Sequence, residues 1–330
     1  MDDALYPLRF EPIYQYRLWG GRHFESWFTA PLPEDMPIGE AWVLSDREDY
    51  PSRVAEGRLK GQTIAQLMET SPLQLLGRSF AGARRFPLLL KFLDVQKMLS
   101  VQVHPTDDRL DLLPAGDTGK SEAWVVLEAG PSSRIYAGLK PGATVENLRT
   151  LSNATADLRL ASFAPSCGLG VVIDAGVVHS LGDGVVVFEV QENSDVTFRL
   201  YDWEHIDPAT GRSRPLQIEK ALECVDYSQG VVRPVAAVIE ATRPVLRIRL
   251  FDTAHFRLWR LQGAESFSVG AIDEPRVLVC IDGAGRIEYS GAGYALEKGA
   301  VYLLPASIGV GAFHPAQPVT MLEIALPERP

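Results

Sequence analysis

Short β-type runs, cut by Gly, Pro and Asp, make up most of this chain, and they leave few folds open to it. "SEAWVVLEA", "GVVIDAG", "GVVVFEVQ" and "DVTFRLYDW" are rich in Val, Ile, Phe and Tyr, whose branched or flat side chains suit a pleated sheet. Many short strands so punctuated predict a mainly β fold of the sandwich or jelly-roll kind. A few helices interrupt the pattern. "LKGQTIAQLMETSPLQLLG" carries Ile64, Leu67 and Met68 at helical spacing, and "TVENLRTLSNATADLRL" opens with Thr144 three residues before Asn147. "PLQIEKALECVD" begins with Pro215, where proline suits a first turn.

At 330 residues the chain is long for one core, so two domains are expected. The texture changes near residue 230. "GVVRPVAAVIEATRPVLRI" reads as a connection, "RVLVCIDGAGRIEYS" and "YALEKGAVYLLPAS" as hairpins, and "VTMLEIALP" as a last strand. This places a larger domain at residues 1–235 and a smaller β domain at 236–330. A faint repeat links the two: "DAGVVHS" follows "GLGVVI", and "PASIGVG" follows "GAVYLL". Aligned from Asp174 and Pro305, His179 falls on Val310, and Val277 to Ile281 holds no histidine or carboxylate. The second copy is therefore expected to keep the shell and lack a metal site.

A formal net charge of −10 argues against nucleic acid as a partner, because no basic field would draw in phosphates. An anionic small ligand would need its own local cations. Cys167, Cys224 and Cys280 form no CxxC pair and predict buried thiols in a reducing compartment. The start "MDDALYPLRF" is not a signal sequence, and no apolar run reaches the ~18 residues of a membrane helix. A cytoplasmic protein without membrane contact is expected; the oligomeric state is not legible.

One strand breaks the apolar rule. In "LSVQVHP", Gln102 and His104 share parity and point to one face, while Val101 and Val103 point to the other. Polar side chains facing a core are costly unless something satisfies them. Glu122 in "GKSEAWVV" and His179 in "DAGVVHS" complete a candidate set. Two imidazoles, a carboxylate and an amide oxygen suit Zn²⁺ or another divalent ion, one per chain, and leave room for a substrate oxygen. His23, His205, His255 and His314 read as ordinary core or surface histidines.

These residues sit in stretches that together resemble the type I mannose-6-phosphate isomerases, in their short bacterial form, of the cupin superfamily. The stretches are "LWGG" from Leu18, "IGEAWVLSD" from Ile38, and "FPLLLKFLDVQKMLSVQVHP" from Phe86. "GKSEAWVVL" from Gly119, "AGVVHSLGDGVVVFEVQENSDVTFRLYDW" from Ala175 and "LQIEKALE" from Leu216 follow in the family's order. The resemblance implies two cupin-type jelly rolls with inserted helices. It also implies a zinc site at Gln102, His104, Glu122 and His179, and an active site lined by Trp19, Lys91, Ser100, Lys120, Glu189, Asp195 and Arg199. Asp174, Val177, Ser180 and Leu181 depart from the family's pattern around the histidine and leave the exact sugar phosphate open.

Mannose 6-phosphate and fructose 6-phosphate interconvert by moving a proton between C1 and C2 through an enediol, which needs a base and an electropositive partner for the oxyanion. Glu189, inside an apolar run, is the expected base, with Lys120 its rival. Arg199 shares parity with Asp195 and is expected to hold the enediolate or steer the sugar. Lys91 and Ser100 are the expected phosphate contacts, and Trp19 a wall of the site. The alternatives are an isomerase of another phosphorylated sugar and a non-catalytic sugar-binding cupin.

Overall fold

A computed structural model describes residues 4–80 and 82–328. Four large antiparallel sheets stack in layers. A five-stranded sheet and a six-stranded sheet carry the first part of the chain, and a seven-stranded and a four-stranded sheet carry most of the rest. Strand Leu88–Val95, in the six-stranded sheet, shows why the layers form. Leu88, Leu90 and Phe92 face a core shared with Phe251, Leu322 and Ile324 of the seven-stranded sheet and Phe256 in the turn beside it. Leu93 and Val95, of the opposite parity, face Ile135, Ala137 and Leu181 of the five-stranded sheet. A strand buried on both faces reads as the continuous apolar run seen in the sequence. The outer face of the five-stranded sheet packs Val101 and Val103 against Leu148, Ala221 and Leu222 of the helices.

The two halves repeat one plan. The six-stranded sheet runs Gly170–Ile173, Glu122–Ala129, Val185–Glu192, Leu88–Val95, Ile38–Leu44, Ile13–Gly21. Apart from one edge strand, the seven-stranded sheet matches it with Val301–Leu304, Arg276–Asp282, Val319–Ala325, Arg257–Gly263, Leu246–Asp252, Val238–Ala241. Register sharpens the match. Glu122 opposes Ile173 as Arg276 opposes Leu304. Glu189 opposes Lys91 as Glu323 opposes Trp259. His179 opposes Gln102 as Val310 opposes Gly270. Gly270, Ile272, Arg276 and Val310 thus stand where the first copy has Gln102, His104, Glu122 and His179. The extra edge strand, Leu8–Arg9, pairs with Leu303 and Tyr302, so the first residues of the chain join the sheet of the second half.

Several local expectations change. "RVLVCIDGAGRIEYS" and "YALEKGAVYLLPAS" are not hairpins: Arg276–Asp282 and Ala284–Tyr289 lie in different sheets, as do Ala292–Glu297 and Val301–Leu304. The chain crosses between layers at Gly283, whose φ of +83° suits glycine, and the real hairpin joins Ala284–Tyr289 to Ala292–Glu297. The expected connection after residue 230 includes the edge strand Val238–Ala241. The first helical stretch splits into Ile64–Thr70 and Pro72–Leu76 because Ser71, restricted by the following proline, leaves helical geometry. The second splits too, and its first half opens on the Thr144–Asn147 capping box. The third begins at Ile218 rather than Pro215, since Gln217 N–H is held by the Arg199 carbonyl of the neighbouring strand. Cys167 is exposed, whereas Cys224 and Cys280 are buried. No helix among the described residues is long and apolar enough to cross a membrane.

Candidate active site

Strand pairing brings the polar set together. Val101–Val103 pairs with the strand that begins at His179, putting Gln102 directly opposite it. Glu122 opens the strand of the facing sheet, and His104 follows immediately after Val103. His104, Glu122 and His179 are buried, with one donor atom from each inside a span of 4.8 Å. The imidazole rings sit 4.8 Å apart, centre to centre. His104 Nδ1–H donates to the Val196 carbonyl at 2.8 Å, and His179 Nδ1–H to the Val177 carbonyl at 2.9 Å. Both Nε2 atoms are thereby left bare and aimed at Glu122, at 3.4 Å from His104 and 3.5 Å from His179. Burial, with Lys120 nearby, pulls His104 down to about 3, and burial also lowers His179. Both shifts favour the neutral ring.

The donors fit a divalent cation. Glu122 Oε2 is enclosed and takes no hydrogen bond, although the Lys120 ammonium stands 2.9 Å away. Burial alone would raise the Glu122 carboxyl, but the Lys120 ammonium holds it well below the usual carboxylate range. Gln102 turns its amide nitrogen to His179 Nε2 at 3.2 Å and its oxygen to the Ser100 hydroxyl at 3.1 Å. A half-turn of that amide, which costs no volume, would aim the oxygen at the cluster.

Beside the cluster opens a pocket of about 440 Å³, walled by Trp19, Lys91, Gln102, Lys120, Glu189, Asp195 and Arg199 among others. Trp19 is held by a close backbone approach: a Cβ on Gly20 would lie 2.4 Å from Gly39 N. Its ring is buried and its Nε1–H has no partner. Glu189 lies deep in the same wall, where Trp124 Nε1–H donates to Oε1 at 2.9 Å and Lys91 stands 3.5 Å from Oε2. Burial first, and then repulsion from Glu122, push its carboxyl up. Lys120 moves the other way from the lowered value its burial would give, because Glu122, Glu189 and Asp195 surround it and raise it.

Lys91 is enclosed among carboxylates rather than open to a phosphate. Only 2% exposed, it meets Glu189, Asp195 at 3.6 Å and Glu40 at 3.9 Å, and lies over the Trp42 ring. Ser100 is fully buried behind Gln102. Asp195 sits at the exposed lip. Arg199 differs from every other cation in the wall: its Nε is enclosed without a partner, and its side chain makes no ion pair among the described residues. Burial lowers its pKa, and the neighbouring Arg214 lowers it further.

Residue-type reasoning passed over part of this wall. Arg17 grips Glu40 through two bonds of 3.0 Å, Tyr16 donates to Asp207 at 2.5 Å, and Arg214 pairs with Asp202. Arg17 shares strand parity with Trp19, and Glu40 with Trp42, so the "LWGG" and "IGEAW" stretches did carry a signal. Nothing in the local pattern around Arg214 marked it.

Residues 8–122 match the family described as phosphomannose isomerase type I, catalytic domain. The mannose-6-phosphate isomerase ManA of Bacillus subtilis is 31% identical over 306 residues, covering 92% of this chain and 94% of the relative. The mannose-6-phosphate isomerase of Streptococcus mutans is 30% identical over 307 residues, covering 92% and 93%. The crystal structure of the mannose 6-phosphate isomerase from Bacillus subtilis superposes with a TM-score of 0.87 at 25% identity, covering 97% of this chain and 99% of that one. A variant phosphomannose isomerase from Salmonella typhimurium shares the fold, with a TM-score of 0.79 at 14% identity.

Proposed function

The chain belongs to the type I phosphomannose isomerases, and from that premise we propose how its pocket performs the chemistry. It is a metal-dependent aldose–ketose isomerase that interconverts mannose 6-phosphate and fructose 6-phosphate through an enediol. One observation supports this most: two neutral imidazoles and a half-satisfied carboxylate adjoin a pocket that also holds a buried carboxyl with a raised pKa. Gln102, His104, Glu122 and His179 are the proposed ligands, one ion per chain, and their nitrogen and oxygen donors suit zinc or another divalent metal. Such an ion, when bound, supplies Lewis acidity toward the sugar oxygens.

The chain's own groups do the rest. Glu189 takes the proton from one carbon and returns it to the other, its raised pKa bringing acid and base forms within reach of working pH. Lys120, kept protonated by three carboxylates, acts as a hydrogen-bond donor rather than as the base. Arg199 meets the oxyanion as charge develops, with a guanidinium that no resting partner occupies. Trp19 Nε1–H offers an unspent donor to a sugar hydroxyl.

Lys91 and Ser100 are assigned roles other than the expected phosphate grip. One ammonium facing three carboxylates has little charge left for a phosphate dianion; we assign it to holding Glu189, and Ser100 to orienting Gln102. The phosphate is placed instead toward Arg17 and Arg214, the other arginines of the wall. The C-terminal roll, with Gly270, Ile272, Arg276 and Val310 at the ligand positions, is proposed to bind no ion. Sparse unpaired cysteines fit a reducing compartment, and we place the enzyme in the cytoplasm. A coupled assay for fructose 6-phosphate formation, with and without chelator, tests this reading. Turnover of a different sugar phosphate with none of mannose 6-phosphate would move the substrate. Binding without any turnover would leave a sugar-binding cupin.

A further inference from the structure

We infer that His255, in the C-terminal half, is a positioning residue for the active site: through Glu192 it locks the loop that presents Lys120 and Glu122. The inference rests on the site reading above. Residues 119–121 cross between the two sheets of the catalytic roll and deliver both side chains within one short turn. Three contacts fix that turn. Gly119 N–H donates to Asp107 at 2.7 Å. Lys120 N–H reaches the Pro105 carbonyl at 3.1 Å. Ser121 is held from both sides: its N–H donates to Glu192 Oε1 at 2.8 Å, and its carbonyl accepts from Glu192 N–H at 3.1 Å. The Ser121 hydroxyl in turn accepts from Ala175 N–H at 3.3 Å, in the turn that leads to His179.

Glu192 is therefore the hub, and it is a buried carboxylate. A buried charge needs a counter-charge or it neutralises or moves. His255 Nδ1, 3.1 Å from Glu192 Oε2, is the only ion-pair partner of Glu192 among the described residues. Asp107 and Asp174 also act on the His255 ring and favour its protonated form, while Arg84 and Arg85 line the same pocket. Glu192, first, and these acids together raise the His255 pKa despite its partial burial. The ring is delivered by a tight turn in which Thr253 Oγ1 accepts from His255 N–H and Phe256 N–H, and Phe256 is sunk in the core shared by the two halves. A residue of the second roll thus reaches across that core to steady the loop of the first. This gives the ion-free roll a share in catalysis.

The test uses His255→Ala, His255→Gln, Glu192→Gln and the His255→Ala/Glu192→Gln double variant of the full chain. Two readouts are independent of turnover: deuterium exchange of peptides covering 119–122, and Co²⁺ affinity by titration. His255→Ala should speed exchange there and weaken Co²⁺ binding by about tenfold, in the range of losses seen for outer partners of metal ligands. Its kcat should fall by a similar factor while KM holds, because misplaced Lys120 and Glu122 harm the reacting end of the sugar. His255→Gln, which keeps a donor, should recover part of each loss. The double variant should be no worse than Glu192→Gln alone. Wild-type exchange and Co²⁺ affinity in a folded His255→Ala protein would overturn the inference, as would fully additive losses in the double variant. A second Co²⁺ that persists in His104→Ala and vanishes in His255→Ala would also overturn it, by making the acids and His255 a cation site. An inactive wild type with intact Co²⁺ and exchange effects would sink the isomerase reading and leave this one standing.

Discussion

Replacing Arg199 by Ala separates a catalytic cation from a structural one. Arg199 Nε is enclosed with no partner, and the side chain has no ion pair among the described residues. Burial and the like charge of Arg214 work against its charged form, with a smaller contribution from Arg17, and Asp202 and Asp195 only partly offset them. Its removal therefore strands no carboxylate and relieves repulsion, so folding stability should change by no more than about 0.5 kcal/mol. Activity should respond very differently. If the guanidinium meets an oxyanion that exists only in the transition state, kcat should drop by about 10²–10³, or roughly 2.7–4 kcal/mol. Metal content should not change, since Arg199 is outside the proposed ligand set. Steady-state kinetics with mannose 6-phosphate, urea denaturation and metal analysis of the same preparation check all three. A rise in KM with kcat intact would mean uniform binding of the substrate, and the transition-state role would be wrong. A stability loss of several kcal/mol would mean that the residue is structural.

A buried arginine of the second roll should behave in the opposite way. Arg276, aligned with Glu122, is buried and pairs with Glu274 at 2.7 Å and Glu323 at 3.8 Å; because Arg257 and Arg247 also hold those carboxylates, Arg276→Ala should cost about 1–3 kcal/mol in denaturant titration with little change in kcat of the folded fraction. Glu189→Gln should leave fold and metal content in place and lower kcat by about 10²–10⁴, the usual range for a general base; retention of kcat would pass the role to Lys120. The His255–Glu192 pair should make stability depend on pH. Because the folded His255 pKa is raised above 6.5, its contribution is full below 6.5 and fades as pH rises through the folded value. Denaturant midpoints for wild type and His255→Gln should therefore converge at high pH, and a constant gap between them would contradict the assignment.

What could be read from the sequence, and what could not, divides along physical lines. The polar set was legible because period-two alternation is strict: Gln102 and His104 had to face away from Val101 and Val103, into a region where only a partner could satisfy them. The alignment of His179 with Val310 was legible because both open a strand after a turn of equal length, and register preserves that count. The hairpins were misread because a strand–turn–strand pattern looks the same whether the turn pairs two strands or carries the chain to the facing sheet. Gly283 fits either. Lys91 was read as a phosphate contact because its three carboxylate neighbours, Glu40, Glu189 and Asp195, come from separate segments. His255 was passed over for a similar reason. Its partner lies 63 positions away across a core that no local pattern announces.

The central claim is that the Gln102–His104–Glu122–His179 cluster enables proton transfer between C1 and C2 of the sugar phosphate. Mannose 6-phosphate labelled with deuterium at C2 tests it most directly, followed by NMR with native protein, chelated protein and the His104→Ala variant. Deuterium should leave C2 as fructose 6-phosphate forms, chelation should stop this and added zinc restore it, and folded His104→Ala should neither bind the ion nor move the label. Loss of the C2 label at an unchanged rate in ion-free protein, or in His104→Ala, would contradict it.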